Sequence, residues 1–379
     1  MAGSSAIRAM FMEGKEMAAR YGAKNVYDFS LGNPATPAPE KIKTAIYDIL
    51  DKEDPLVVHG YMANAGYEEV REAIAENLNE RFGTNFHGKN LIMTVGAAGG
   101  LNIIFKTILD PGNEVMVFAP YFGEYKSYAA NFDAKIVEVM PDEADFMPDL
   151  ADFERKITKD TRAVIINNPN NPTGAQAPRG FLERAIELAR EHRFAIVQDF
   201  AYAGLGVREQ QISILSLPGA FDVAVEVCSL SKMYAMAGWR AGFIAGNSDI
   251  VSHVKQYHYQ MGSMITGSVQ DAGAAALESD QSCVHELAER YALRRKIVAG
   301  GLRELGLDVF DSDGGIYAWV HAPEGLNGEQ FADLLLERAA VAALPGTCFG
   351  TVGVDYVRFS LLKSEDLLRE AMRRVGRVL

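Results

Sequence analysis

Between residues 91 and 245 the chain alternates short apolar runs with longer stretches of helical spacing, and this alternation narrows the possible folds more than any other feature. Residues 91–95, 114–118, 134–139, 162–167, 194–198, 223–228 and 241–245 are rich in Val, Ile and Phe and read as strands. Between them, residues 66–82, 98–109, 123–131 and 178–192 carry Leu, Ile, Ala and aromatic residues at the spacing of one helix face. A strand can reach a parallel neighbour only through a crossover, so this order predicts an α/β fold with one large, seven-stranded, mostly parallel sheet flanked by helices. Pro111-Gly112, the run from Pro169 to Pro172 and Gly314-Gly315 mark turns.

After about residue 285 the pattern changes. A long helix over 285–305 is followed by strands at 307–310, 316–320 and 357–361, with helices between and after them. A helix over 6–21 and a strand over 26–31 can join this α+β layer. The expected division is a large domain over 46–285 and a small domain built from 1–45 and 286–379, for which 379 residues are ample.

Charge and cysteine content exclude several functions. With 37 Lys and Arg against 50 Asp and Glu, the net charge of −13 repels a phosphate backbone, so nucleic acid is not an expected partner. Cys228, Cys283 and Cys348 are odd in number and far apart, which suits reduced thiols in a cytoplasmic protein and not a disulfide framework. Arg8, Glu13, Lys15 and Glu16 interrupt the N-terminal apolar residues, and Pro218, Asp222 and Glu226 interrupt the stretch 212–230, so neither a signal core nor a membrane span is expected. His253 and His258 lack the spacing and companions of metal ligands; no metal is expected, and 253–259 reads as a helix surface or subunit contact.

Chemistry concentrates where predicted strands end. Lys232 lies in the run Ser229-Leu230-Ser231-Lys232, eight residues before Arg240. A desolvated lysine near another cation loses its proton more readily, and its free amine can form a Schiff base with an aldehyde. Asn167 to Gly174 forms a proline-stiffened loop after another strand, where Asn171 can donate to a ligand oxygen. Asp199 and Tyr202 follow the strand 194–198; the carboxylate can keep a ring nitrogen protonated and the phenol can bond a phenolate oxygen. From Thr94 to Gly100 a strand runs into a helix through small residues, so a phosphate can rest on the N–H groups of Ala97 and Ala98. The glycines there are not spaced as a dinucleotide-binding fingerprint.

These elements together resemble the class I/II aminotransferases of the fold-type-I pyridoxal-phosphate superfamily, and the match is similar to the aspartate-aminotransferase-like branch over about residues 29–361. The resemblance implies pyridoxal 5'-phosphate as cofactor. It makes Lys232 the Schiff-base lysine, sets Ser229 and Arg240 on the phosphate, and matches Asn171, Asp199 and Tyr202 to the family's motif residues. It further implies that Phe122 stacks on the cofactor ring, that Tyr61 reaches the phosphate of a neighbouring subunit, that Arg358 grips the substrate α-carboxylate, and that the Gly32 backbone approaches the substrate. A homodimer follows from the role of Tyr61.

The expected reaction moves an amino group from an α-amino acid, with aspartate the first donor to try, to a 2-oxo acid such as 2-oxoglutarate. The same electron sink also serves carbon–sulfur β-elimination or cyclisation, and motifs at the cofactor do not separate these fates. A nicotinamide-dependent dehydrogenase is the expectation of a different class, which the missing fingerprint argues against. No residue stands out as a reader of the substrate side chain.

Overall fold

The structure is a computed structural model that describes residues 12, 14–17, 19–20, 22, 25–34, 36–142, 146–206, 211–262, 264–312 and 314–379. The expected helix over 6–21 falls largely outside the described residues. The strands in chain order are β1 (Tyr27–Asp28), β2 (Leu91–Val95), β3 (Glu114–Phe118), β4 (Lys135–Val139), β5 (Thr161–Asn167), β6 (Ala195–Phe200), β7 (Ala224–Ser229), β8 (Ala241–Gly246), β9 (Tyr317–His321), β10 (Val341–Ala342), β11 (Leu344–Pro345) and β12 (Tyr356–Ser360).

The seven expected strands assemble into one sheet in the order β2-β8-β7-β6-β5-β3-β4. β8 runs antiparallel to both of its neighbours, and the other strands share one direction. Because successive side chains point to opposite faces, Val164 and Ile166 enter one apolar core while Ala163 and Ile165 enter another. Both faces are covered, which is why these strands read as apolar runs and not as alternations. Helix Arg179–His192 covers one face with Phe181, Leu182, Ala185, Ile186 and Ala189, recurring at the expected helical interval.

A separate core joins the first and last parts of the chain. β11, β12 and β9 form an antiparallel sheet, and helices Ser282–Glu304 and Glu365–Val375 supply Val298, Leu302, Leu368 and Met372 to its packing. β1 pairs in parallel with β10, and the Ser360 N–H donates to the Phe29 carbonyl at 3.1 Å, which draws residues 27–32 against this layer. The expected strand over 26–31 is thus only Tyr27–Asp28, because Asp28 Oδ1 accepts from the Ser30 N–H at 2.8 Å and its hydroxyl at 2.6 Å, a local turn that competes with a ladder. The expected strand at 307–310 is a correction too: Leu307 and Val309 are buried, yet only Val309 bridges Val320. No helix among the described residues is long and apolar enough to cross a membrane.

Sharing one strand direction has a consequence for chemistry. The segments after β2, β3, β5, β6 and β7 all leave the sheet at the same edge, the one where ligands of open α/β sheets bind.

Candidate active site

Lys232 sits in a single-turn helix, Leu230–Met233, whose first residue is capped by Ser229: the Ser229 hydroxyl accepts from the Ser231 N–H at 3.2 Å. This turn projects Lys232 back across the sheet edge, where its amine donates to the Gly32 carbonyl. Burial, and with it the Arg358 and Arg240 guanidiniums, holds the amine below the usual lysine range, while Tyr317 pulls in the opposite direction. Gly32 has no room for a side chain: a Cβ there would collide with the Tyr317 hydroxyl and lie 3.2 Å from the Lys232 amine.

A hydrogen-bonded chain begins beside this point, at the Tyr317 hydroxyl packed against Gly32. Tyr317 Oη meets Tyr202 Oη at 3.3 Å, and Asn171 Nδ2 donates to Tyr202 Oη at 3.2 Å. Arg358 Nη1 donates to Asn171 Oδ1 at 2.7 Å and its Nη2 to the Ser30 carbonyl at 2.8 Å. The guanidinium lies 3.9 Å from the Tyr317 ring centroid and 4.7 Å from that of Phe349. Arg358 is buried, and its Nε has no hydrogen-bond partner among the described residues. A buried cation with an unused donor is poised for an anion.

Asp199 lies within β6 and not beyond it, because the strand continues to Phe200 and pairs Asp199 with Asn167 of β5 and Val227 of β7. Its carboxylate accepts from the Tyr125 hydroxyl at 2.6 Å and from the Ala201 N–H at 3.1 Å. Burial raises its pKa, and these two bonds work against that rise. Tyr125 in turn stands edge-on to Phe122, with ring centroids 5.6 Å apart. Asn167 ties the neighbouring loops together: its Oδ1 accepts from the Asn171 N–H at 2.7 Å and its Nδ2 donates to the Asp199 carbonyl at 3.0 Å.

The helix after β2 begins at Gly96, two residues earlier than expected, so Ala97 and Ala98 lie in its first turn. Gly96 adopts φ +67°, a conformation glycine enters without a side-chain clash, and no side chain caps the helix. A Cβ on Gly96 would come 2.9 Å from Arg240 Nη2, so the guanidinium stands against the open helix start. Ser229 faces Gly242 in the ladder of β7 and β8, next to the same turn. Free N–H groups, an arginine and a hydroxyl thus converge where a dianion can be held.

The structure therefore brings Gly32, Asn171, Tyr202, Lys232 and Arg358 into one network, with Asp199 and Phe122 linked through Tyr125, and Ala97, Ala98, Ser229 and Arg240 around the helix start. Tyr61 does not join them; it is fully exposed in the single chain. Sequence reasoning missed Tyr125, Tyr317, Asn167 and Phe349. Tyr125 carried a usable signal, lying one helical turn past Phe122.

Fold and site together define an α/β protein whose sheet edge can hold small anionic ligands beside a buried amine. The family model for aminotransferase class I and II matches residues 24–375. The chain is 36% identical to the L-glutamine–4-(methylsulfanyl)-2-oxobutanoate aminotransferase of Bacillus subtilis, over 93% of this chain and 89% of that protein. It is 33% identical to the aspartate aminotransferase of Pyrococcus horikoshii, over 99% and 94%. The solved aspartate aminotransferase from Thermus thermophilus with maleate superposes with a TM-score of 0.92 at 32% identity, covering 100% of this chain and 97% of that one. The chain belongs to the class I and II aminotransferases: it is a pyridoxal-phosphate-dependent enzyme of fold type I that transfers an amino group between an amino acid and a 2-oxo acid.

Proposed function

We propose that the network at the sheet edge is the working site of this aminotransferase, with Lys232 as the residue that both joins the cofactor and moves the substrate proton. The carrying observation is an amine held below the usual lysine range in the same network as a buried arginine with an unused donor. The residues fit pyridoxal 5'-phosphate. Ala97, Ala98, Ser229 and Arg240 would hold its phosphate, as the uncapped helix start beside Arg240 supports. Asp199 would keep its pyridine nitrogen protonated, Phe122 would cover its ring, and Asn171 and Tyr202 would bond its ring oxygen. When bound, the cofactor supplies an aldehyde for the lysine and a ring that takes up negative charge as the substrate Cα loses its proton.

The protein's own groups do the rest. Arg358 binds the α-carboxylate of the amino acid, trading bonds to Asn171 and Ser30 for a bidentate grip, which fixes the Cα–H direction. The Lys232 amine, low in basicity for a lysine, would take that proton from Cα and deliver it to the carbon on the other side of the amino nitrogen; a positioned group of this kind contributes about 10² to 10⁴-fold. Gly32 and Arg358 would both border the substrate, each packed against Tyr317.

Aspartate with 2-oxoglutarate is the proposed first substrate pair, and one of the similar relatives is named for aspartate. A homodimer is part of the proposal: exposed Tyr61, with exposed Leu56 and Val57 close by in the chain, would cross to the neighbouring site. The division into a cofactor-binding domain over 46–285 and a small domain from 1–45 and 286–379 is supported by the separate core of the terminal segments. Three unpaired thiols support a cytoplasmic setting.

The test is Lys232→Ala, assayed with a panel of amino donors and by borohydride reduction of the wild type followed by peptide mapping. Loss of amino transfer, together with cofactor locked onto Lys232 in the wild type, is the expected result. Turnover near the wild-type rate in Lys232→Ala would sink the assignment.

A further inference from the structure

Tyr317 has no task in the reaction as described, yet its surroundings are those of a working residue. It opens β9, is buried, and presents its ring to Arg358 at 3.9 Å and its hydroxyl to Tyr202 at 3.3 Å. Gly32 accepts from the Lys232 amine through its carbonyl and meets the Tyr317 hydroxyl at its Cα. Phenol and amine thus converge on one residue from two elements, β9 and the turn Leu230–Met233. A phenylalanine would fill the same volume without the cost of burying a hydroxyl, so packing alone does not account for the tyrosine.

The charged and titratable groups facing this pair are Arg358 from β12, Arg240 from the turn before β8, and Tyr202 from the segment after β6. Both guanidiniums drive the Lys232 amine towards its neutral form, and Tyr317 opposes them. Burial resists ionisation of Tyr317, but the Arg358 and Lys232 cations and the bond from Tyr202 outweigh it and bring the phenol below its usual range.

We propose that Tyr317 is the positioning residue of Lys232: its hydroxyl, standing where a Cβ of residue 32 would lie, keeps the amine against the Gly32 carbonyl. The proposal rests on the role given to Lys232 and adds a residue that controls it.

The experiment is limited acetylation of cofactor-free protein with acetic anhydride across a pH series, quantifying the Lys232 peptide against exposed lysines. In Tyr317→Phe the two guanidiniums act unopposed, so the midpoint of Lys232 labelling moves to lower pH. In the loaded enzyme the acid limb of kcat moves the same way and kcat falls on the order of tenfold, part of the 10² to 10⁴ that a positioned proton-transfer group contributes, with KM changed less. Gly32→Ala supplies a second variant. Its Cβ displaces the hydroxyl in wild type, whereas with Phe at 317 the nearest ring atom lies 3.5 Å away, and the 3.2 Å approach to the Lys232 amine is common to both backgrounds. The two substitutions together should therefore lose less than the product of their separate losses.

An unmoved labelling midpoint in Tyr317→Phe, or losses that multiply, overturns the proposal. If Tyr317→Phe does not fold, Gly32→Ala alone reads the same midpoint, and a midpoint equal to wild type overturns it. The labelling needs no cofactor, so its outcome is distinct from that of Lys232→Ala: an active Lys232→Ala refutes the proposed function, while an unmoved midpoint beside an inactive Lys232→Ala refutes only the role of Tyr317.

Discussion

Tyr125→Phe removes one hydroxyl from the support of Asp199 and little else. The ring is buried, edge-on to Phe122 at 5.6 Å and stacked on Tyr121 at 6.5 Å, and phenylalanine keeps both contacts. The loss is the 2.6 Å bond to Asp199 Oδ2, while the Ala201 N–H at 3.1 Å remains on the other oxygen. Hydrogen bonds to charged groups contribute about 1.5–3 kcal/mol, and each 1.36 kcal/mol is about tenfold in rate, so kcat/KM should fall roughly 10- to 150-fold. The sign of the pH effect follows from the same bond. Burial raises the Asp199 pKa and the Tyr125 bond lowers it, so without that bond the carboxyl protonates at higher pH and the acid limb of kcat/KM moves upward. Steady-state amino transfer over a pH series, with cofactor content measured by absorbance, checks both expectations. A variant with full cofactor, kcat/KM within twofold of wild type and the same acid limb would refute the view that Tyr125 supports an ionised Asp199.

Two other substitutions separate binding from stability. Because the Asp199 pKa is raised in the folded protein, its ionisation opposes folding above that raised value, and the opposition disappears as pH falls through it. Asp199→Asn should therefore melt, cofactor-free, at or above the wild-type temperature at neutral pH, with the gap closing in acid, while amino transfer falls steeply; a clearly lower neutral Tm overturns this. Arg358→Lys loses the planar fork that would grip the carboxylate in a bidentate way, so KM for the amino acid should rise on the order of tenfold with a smaller change in kcat. An unchanged KM would show that Arg358 does not hold the carboxylate.

Strand positions were legible because both faces of the large sheet are covered, which makes each strand a plain apolar run. Direction was not: β8, antiparallel to both β2 and β7, is a short and mostly apolar run like the parallel strands of the sheet, since register and orientation depend on partners and not on the segment itself. The failed strand at 307–310 shows the converse. Leu307 and Val309 bury alternate side chains as a strand would, but their burial is met by packing, and a single bridge to Val320 is all the pairing there is. Site residues carried by local motifs were found; those contributed by tertiary closure were not. Tyr125 reaches Asp199 across 74 residues and Tyr317 reaches Tyr202 across 115, spacings that leave no mark on either segment.

Perturbed acidity alone would have misdirected the search for the site, as two carboxylates on adjacent strands demonstrate. Glu226 of β7 is as deeply buried as Asp199 of β6, and burial pushes its pKa up to about 7. Its bonds, however, go to the Ser213 hydroxyl and the Leu215 N–H, and its neighbour in the ladder is Gln198, which binds the carbonyl of Ile212 and the N–H of Ile214. Glu226 therefore anchors the buried segment 213–215 to the sheet. Asp199, one residue further along the parallel ladder, lies on the opposite face by the strand's two-residue period, and there its partner is a phenol beside Phe122. Burial pushes both carboxyls in the same direction; the single-residue step along the strand decides which of them faces the candidate site and which faces the segment 213–215.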